Sequence, residues 1–132
     1  FTVESLDLNE TPVPHLAMSE IAAWMTPAEQ RSAEQQQLAA TSDDVIARIT
    51  AADVIVLGVP MYNFGVPSQL KAYFDRLARA GITFKYTETG PVGLLQDKPV
   101  FIFATRGGLY QGTSADSQTP FVSAFLNFIQ FR

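Results

Sequence analysis

Along the chain the apolar positions change period several times, and each change marks an element. Val54-Ile55-Val56-Leu57-Gly58-Val59, opened by Asp53 and closed by Pro60, contains no polar position. Such a run predicts a strand buried on both sides, as in a parallel sheet covered by helices. Val100-Phe101-Ile102-Phe103-Ala104, entered through Lys98-Pro99, predicts a second strand of the same kind. Between them Leu70, Phe74, Leu77 and Ala78 repeat at helical spacing, with Pro67 suited to the first turn.

The flanking segments are less regular. Phe1 to Leu8 is strand-like and runs into a Pro-rich loop from Asn9 to Pro14. His15 to Met25 carries a short helical pattern. Thr26-Pro27-Ala28-Glu29 reads as a capping box opening a long helix whose stripe is Leu38, Val45, Ile46 and Ile49. Gly81 fits the end of the helix that begins near Pro67. Beyond it Ile82, Phe84 and Tyr86 alternate with polar residues, predicting a short arm with three large side chains on one face. Glu88-Thr89-Gly90-Pro91 turns it. The helix opened by Thr119-Pro120 is apolar nearly all round, so burial on most sides is expected, as at a subunit interface.

Strand, loop, helix, then a second strand describe an α/β protein with a parallel sheet. Ligands bind such sheets outside the carboxyl ends of the strands. Two loops fall there. Met61-Tyr62-Asn63-Phe64 is suited to a flat molecule with polar edges; the plain alternative is a loop that caps the core. Thr105-Arg106-Gly107-Gly108 follows the second strand and is expected to face the same crevice. Paired glycines permit φ > 0 and let two N–H groups approach one ligand edge; the alternative is a simple turn beside a solvated arginine.

Composition narrows the classes. With 132 residues, 47% hydrophobic and 17% charged, there is material for one core. A net charge of −4 argues against nucleic acid or anionic membrane as the main partner. The absence of cysteine removes disulfides, a thiolate nucleophile and thiolate metal ligation. His15, the sole histidine, reads as a surface residue, and one histidine without cysteine does not make a zinc site. Ser68 has no histidine near it in sequence, so a Ser-His hydrolase is not supported. Asp43-Asp44 reads as a solvated helix face. The apolar runs are short for a bilayer and no signal-peptide pattern opens the chain, which makes the cytoplasm the expected location.

Pro60 to Lys71 resembles the flavin-binding loop of the FMN-dependent NADH-azoreductases, flavodoxin-like quinone reductases of bacteria. Arg79 to Thr87, Gly90 to Leu94, Thr105 to Gly108, Thr119-Pro120-Phe121 and Phe125 to Ile129 are similar to the same family in the same order. The resemblance implies a doubly wound parallel sheet with helices on both faces, strand order 2-1-3-4-5 and a single domain over residues 1–132. In that order Phe1 to Leu8 is the second strand. The first strand and its phosphate loop then precede Phe1, and a fifth strand and last helix follow Arg132. On that reading residues 1–132 expressed alone are expected neither to fold cooperatively nor to retain FMN.

The resemblance further implies FMN as cofactor, NADH as donor and a quinone or azo compound as acceptor, in a ping-pong cycle of two-electron hydride transfer. Met61, Tyr62, Asn63, Phe64, Thr105, Arg106, Gly107 and Gly108 would surround the flavin. Asn63, Tyr86 and Phe128 would line a substrate pocket formed at a homodimer interface. The flavin does the chemistry, so no catalytic side chain is assigned. Gln130 departs from the family, whose members usually carry glycine after Phe-Ile. A non-enzymatic flavodoxin that passes single electrons to protein partners, or a relic without flavin, are the alternatives.

Overall fold

The computed structural model describes all of residues 1–132. Two parallel strands, β1 (Ile55–Pro60) and β4 (Val100–Thr105), pair in register from Ile55↔Val100 to Pro60↔Thr105. A hairpin, β2 (Phe84–Thr87) and β3 (Gly90–Gly93), stands apart from them. The helices are α1 (Met18–Met25), α2 (Ala33–Ala51), α3 (Ser68–Leu77) and α4 (Thr119–Phe128).

One apolar core joins Val45, Ile46 and Ile49 of α2, Leu70, Phe74 and Leu77 of α3, Val122 and Leu126 of α4, and Ile55 and Val59 of β1. Phe74 lies stacked on Phe125, with ring centroids 4.3 Å apart. Residues 1–8 form no strand, although Leu8 packs on the core and Glu4 approaches Arg48. A strand requires a ladder partner, and neither β1 nor β4 offers this segment an edge it reaches.

Neither long strand is buried on both faces. Val56 is 63% and Phe103 65% exposed, and Val54 and Phe101 are exposed with them. The reason is the placing of the helices: the residues of α2, α3 and α4 that form the core pack on the Ile55–Val59 face, and no helix of this chain covers the other. Helices on both faces are therefore not found within residues 1–132.

Thr26 does not open α2. It ends α1: its N–H donates to Ala23 O and its hydroxyl to Ala22 O. Arg31 Nε then takes the Ala23 and Thr26 carbonyls, and only a 3₁₀ turn, Ala28–Gln30, forms between the helices. The true box is Ser32 with Gln35, where each side chain accepts from the other's backbone N–H. At the far end of α2, Lys98 Nζ donates to the carbonyls of Ile49, Thr50 and Ala52, which the helix itself leaves without partners.

Buried ions tie the helices together. Arg76 of α3 is paired with Glu20 of α1 and also donates to Pro14 O. Arg79 reaches Ser42 Oγ and Asp43, so Asp43 is not merely solvated. Gly81, at φ +84°, shapes the turn beyond α3 rather than capping it, since the cap residue is Ala78. Helix α4 is not apolar all round: Ser123, Ala124 and Asn127 form an exposed strip, with Phe125 and Phe128 half-buried beside it.

Candidate functional site

Parallel pairing brings the carboxyl ends of β1 and β4 together. Pro60 faces Thr105 in register, and the Met61 N–H donates to Thr105 O at 2.7 Å. The two loops read from the sequence are therefore neighbours. Tyr62 and Gly65 exchange two backbone hydrogen bonds of 3.0 Å, with Asn63 at φ +50° and Phe64 at φ +70° between them. Two central residues with positive φ make a tight turn of the primed type. Few side chains accept that backbone; asparagine is the commonest, whereas phenylalanine there carries strain. The turn presents both aromatic residues outward, Tyr62 56% and Phe64 52% exposed.

The second loop departs from expectation in two ways. Neither Gly107 nor Gly108 has positive φ. A Cβ at Gly107 would meet open space, whereas one at Gly108 would lie 3.0–3.2 Å from the Tyr110 ring and hydroxyl. What is tight at Gly108 is therefore its packing against the Tyr110 ring and not its backbone angle. Arg106 is not free to face a ligand with its guanidinium, which donates to Asp116 Oδ2 at 3.0 Å and to Thr119 Oγ1 at 2.8 Å. Burial disfavours the Asp116 charge, but the Arg106 hydrogen bond and the N–H groups of Gln118 and Thr119 outweigh it and hold that carboxyl below its ordinary range. Asp116 thereby also caps the start of α4.

Gln118, to which the sequence assigns no role, is buried just before α4. Its Nε2 donates to Val59 O at 2.7 Å and to Thr105 O at 3.3 Å, clasping both strand ends. Its buried Oε1 has no partner. The position just before Thr119-Pro120 was the available signal, since a polar residue there sits beside the strand ends. Phe64 is held from the same side, by Ser117 N–H on its carbonyl (2.9 Å) and by the Tyr110 ring, edge-on at 5.7 Å.

Tyr86 and Phe128 belong to a second aromatic group. Phe84 joins them, 5.3 Å from the Tyr86 ring and 4.5 Å from Phe128, and Tyr86 is 75% exposed. Within one chain their ring neighbours are Phe84 and Phe125, not the Met61–Phe64 turn. Asn63 instead lines a cleft of about 620 Å³ with His15, Tyr62, Lys71 and Phe121. Phe121 lies two turns before Phe128 on α4, about 10 Å along the axis.

The family model for the flavodoxin-like fold matches residues 1–132. The chain belongs to that family. Among curated relatives it is 62% identical over 123 residues to an FMN-dependent NADH:quinone oxidoreductase of Cellvibrio japonicus (strain Ueda107), covering 93% of this chain and 62% of the relative. It is 58% identical to the Alteromonas mediterranea protein of the same name, covering 96% and 64%. Among solved structures it superposes on an azoreductase from Bacillus anthracis str. Sterne with TM-score 0.89 and 32% identity, over 99% of this chain and 65% of that one. An FMN-dependent NADH-azoreductase from Bacillus anthracis str. Ames Ancestor, solved in complex with FMN, gives TM-score 0.82 at 29% identity, over 96% and 63%. The chain thus spans a little under two thirds of the length of these relatives.

The turn and the second loop fit a flavin. Its isoalloxazine has an apolar end and a hydrogen-bonding end. One loop carries two exposed aromatic residues, and on its neighbour Gly107 has open space where a Cβ would stand, so ring surface and uncovered backbone are both available at the strand ends.

Proposed function

We propose that the protein is an FMN-dependent oxidoreductase that uses NADH to reduce quinones and azo compounds by two-electron transfer. The observation that carries this reading is the adjacency of the Met61–Phe64 turn and the Thr105–Gly108 loop, locked by the Met61 N–H to Thr105 O hydrogen bond. The names of the relatives support it. Bound FMN would supply the hydride chemistry, taking a hydride from the nicotinamide and passing it to the acceptor.

The residues of the chain bind and tune. Met61, Tyr62 and Phe64 offer the apolar wall. The N–H groups of Asn63, Gly107 and Gly108 are donors for the pyrimidine edge, where negative charge gathers on reduction. One charge-assisted hydrogen bond of that kind contributes roughly 1.5–3 kcal/mol, or about 30–60 mV for a two-electron couple. Thr105 ends the strand that aims the loop. Arg106 contributes through Asp116, by fixing the path of the chain between loop and helix. Donor and acceptor use one pocket in turn, so no acid–base side chain is required.

Asn63, Tyr86 and Phe128 line one substrate pocket in this reading if a second copy supplies the aromatic pair. A homodimer meets that need and would cover Tyr86, Ile82 and the half-buried flank of α4. Light scattering on the intact, active protein is expected to give a dimer; an active monomer refutes this part. No helix is long and apolar enough to cross a membrane, and we place the enzyme in the cytoplasm.

The test is direct. The intact protein, purified and mixed with FMN, is expected to take up the cofactor and to oxidise NADH when a benzoquinone is supplied. A protein that takes up no FMN overturns the reading. One that binds FMN but does not turn over NADH with the quinone is a carrier of the flavodoxin kind.

A further inference from the structure

Tyr110 lies outside both loops read from the sequence, yet it touches both. Its ring stands edge-on to Phe64 at 5.7 Å between centroids. The same ring fills the space beside Gly108, so that a Cβ on that glycine would be 3.0 Å from Tyr110 Cε2 and 3.2 Å from Tyr110 Oη. The backbone of Tyr110 is anchored, because Thr113 donates to its carbonyl from both N–H and hydroxyl. The phenol itself makes no hydrogen bond within the chain. A half-buried ring is therefore fixed at its root and along its edges, with its unpartnered hydroxyl on the side of Gly108 where a Cβ would stand.

We propose that Tyr110 is a positioning and cofactor-facing residue: its ring sets Phe64 and Gly108 relative to each other, and its hydroxyl donates to the same flavin edge as the Gly107 and Gly108 amides. The inference rests on the FMN reading above. A phenol O–H at that edge adds a donor whose acceptor gains charge when the cofactor is reduced, so its effect is larger in the reduced state. The ring accounts for Gly108 as well. A Cβ there would press on the Tyr110 ring, and that ring also touches Phe64, which couples the two loops through one side chain.

Three measurements on the intact protein test this: FMN dissociation constant by titration of the apoprotein, midpoint potential, and thermal unfolding of the apoprotein. Tyr110→Phe is expected to keep the melting temperature and, within about twofold, the affinity for oxidised FMN. Its affinity for reduced FMN should fall about tenfold, a drop of about 30 mV in potential. Tyr110→Leu should in addition weaken oxidised FMN about tenfold by releasing Phe64. In a double-mutant cycle Gly108→Ala should weaken FMN in the wild type and have little effect beside Tyr110→Ala. An unchanged potential in Tyr110→Phe overturns the donor role, and additive Gly108 and Tyr110 effects overturn the coupling. Wild-type protein that binds no FMN would bring down this proposal and the function together; wild type that binds FMN, with a silent Tyr110→Phe, brings down the donor role alone.

Discussion

Gln130 runs so close to Gly93 that a Cβ on the glycine would lie 2.5 Å from the Gln130 nitrogen and 2.6 Å from the Ile129 carbonyl carbon. Gln130 itself has φ +88°. It is the left-handed residue that ends α4, since the next N–H, of Phe131, returns to Leu126 O at 2.8 Å. The two residues have complementary needs: one must lack a Cβ, the other would be better without one. Gly93→Ala is expected to destabilise by at least 2 kcal/mol, because backbone must move to admit the methyl. Gln130→Gly is expected to be stabilising by about 1 kcal/mol, the usual penalty of an L residue in that region. Chemical denaturation of both variants checks the pair, and a neutral Gly93→Ala contradicts it.

Gly108→Val should weaken FMN binding by tenfold or more, while Leu109→Val, at a fully exposed side chain, should not change it. The cause is packing: the branched side chain meets the Tyr110 ring. Fluorescence titration decides it. Equal affinities for both variants would mean that Gly107-Gly108 is only a turn.

Asp116 sets an acid limit. Its carboxyl titrates below the ordinary value in the folded chain, held there by Arg106 and by the N–H groups of Gln118 and Thr119 against the opposing effect of burial. A depressed folded value means that the contribution is complete above the unfolded value of about 3.9 and dwindles below it. It is gone once the pH lies beneath the folded value. Stability of the wild type should therefore decline as pH falls below about 4, and Asp116→Asn should decline less steeply there while being less stable at pH 7. Thermal unfolding between pH 3 and 7 shows which slope each variant has; parallel curves would refute the assignment.

Ser32→Ala should cost about 1 kcal/mol, the usual loss of an N-cap. Thr26→Ala should disturb the start of α2 less, because Thr26 closes α1 and meets the box only through a 3.4 Å bond from Gln35 Nε2. Amide exchange at Gln35 reports on this end of the helix, since its N–H is the one bonded to Ser32 Oγ at 3.2 Å. Faster exchange in Thr26→Ala than in Ser32→Ala would reverse the assignment.

Much of this was legible in the chain itself. The period of the apolar residues determined both parallel strands, the long helices and the loops at the carboxyl ends. Local chemistry is enough for that, since an unbroken β-branched run and a 3.6 repeat each permit few structures. Met61 to Phe64 and Thr105 to Gly108 followed, because a loop after such a strand can lie in few places. What the sequence could not determine depends on neighbours far along the chain. The capping box read at Thr26 is not the one α2 uses: Ser32-Ala33-Glu34-Gln35 has the same local pattern, and only the fold, in which Arg31 donates its Nε to the Ala23 and Thr26 carbonyls, leaves Thr26 at the end of α1. Phe101 and Phe103 look like core residues in any window of sequence, yet their burial requires a second layer, and that is a property of packing. Arg106 turned from the crevice to Asp116 for the same kind of reason: a guanidinium goes to the partly buried carboxylate within reach, and only the folded path of residues 106–119 brings one there.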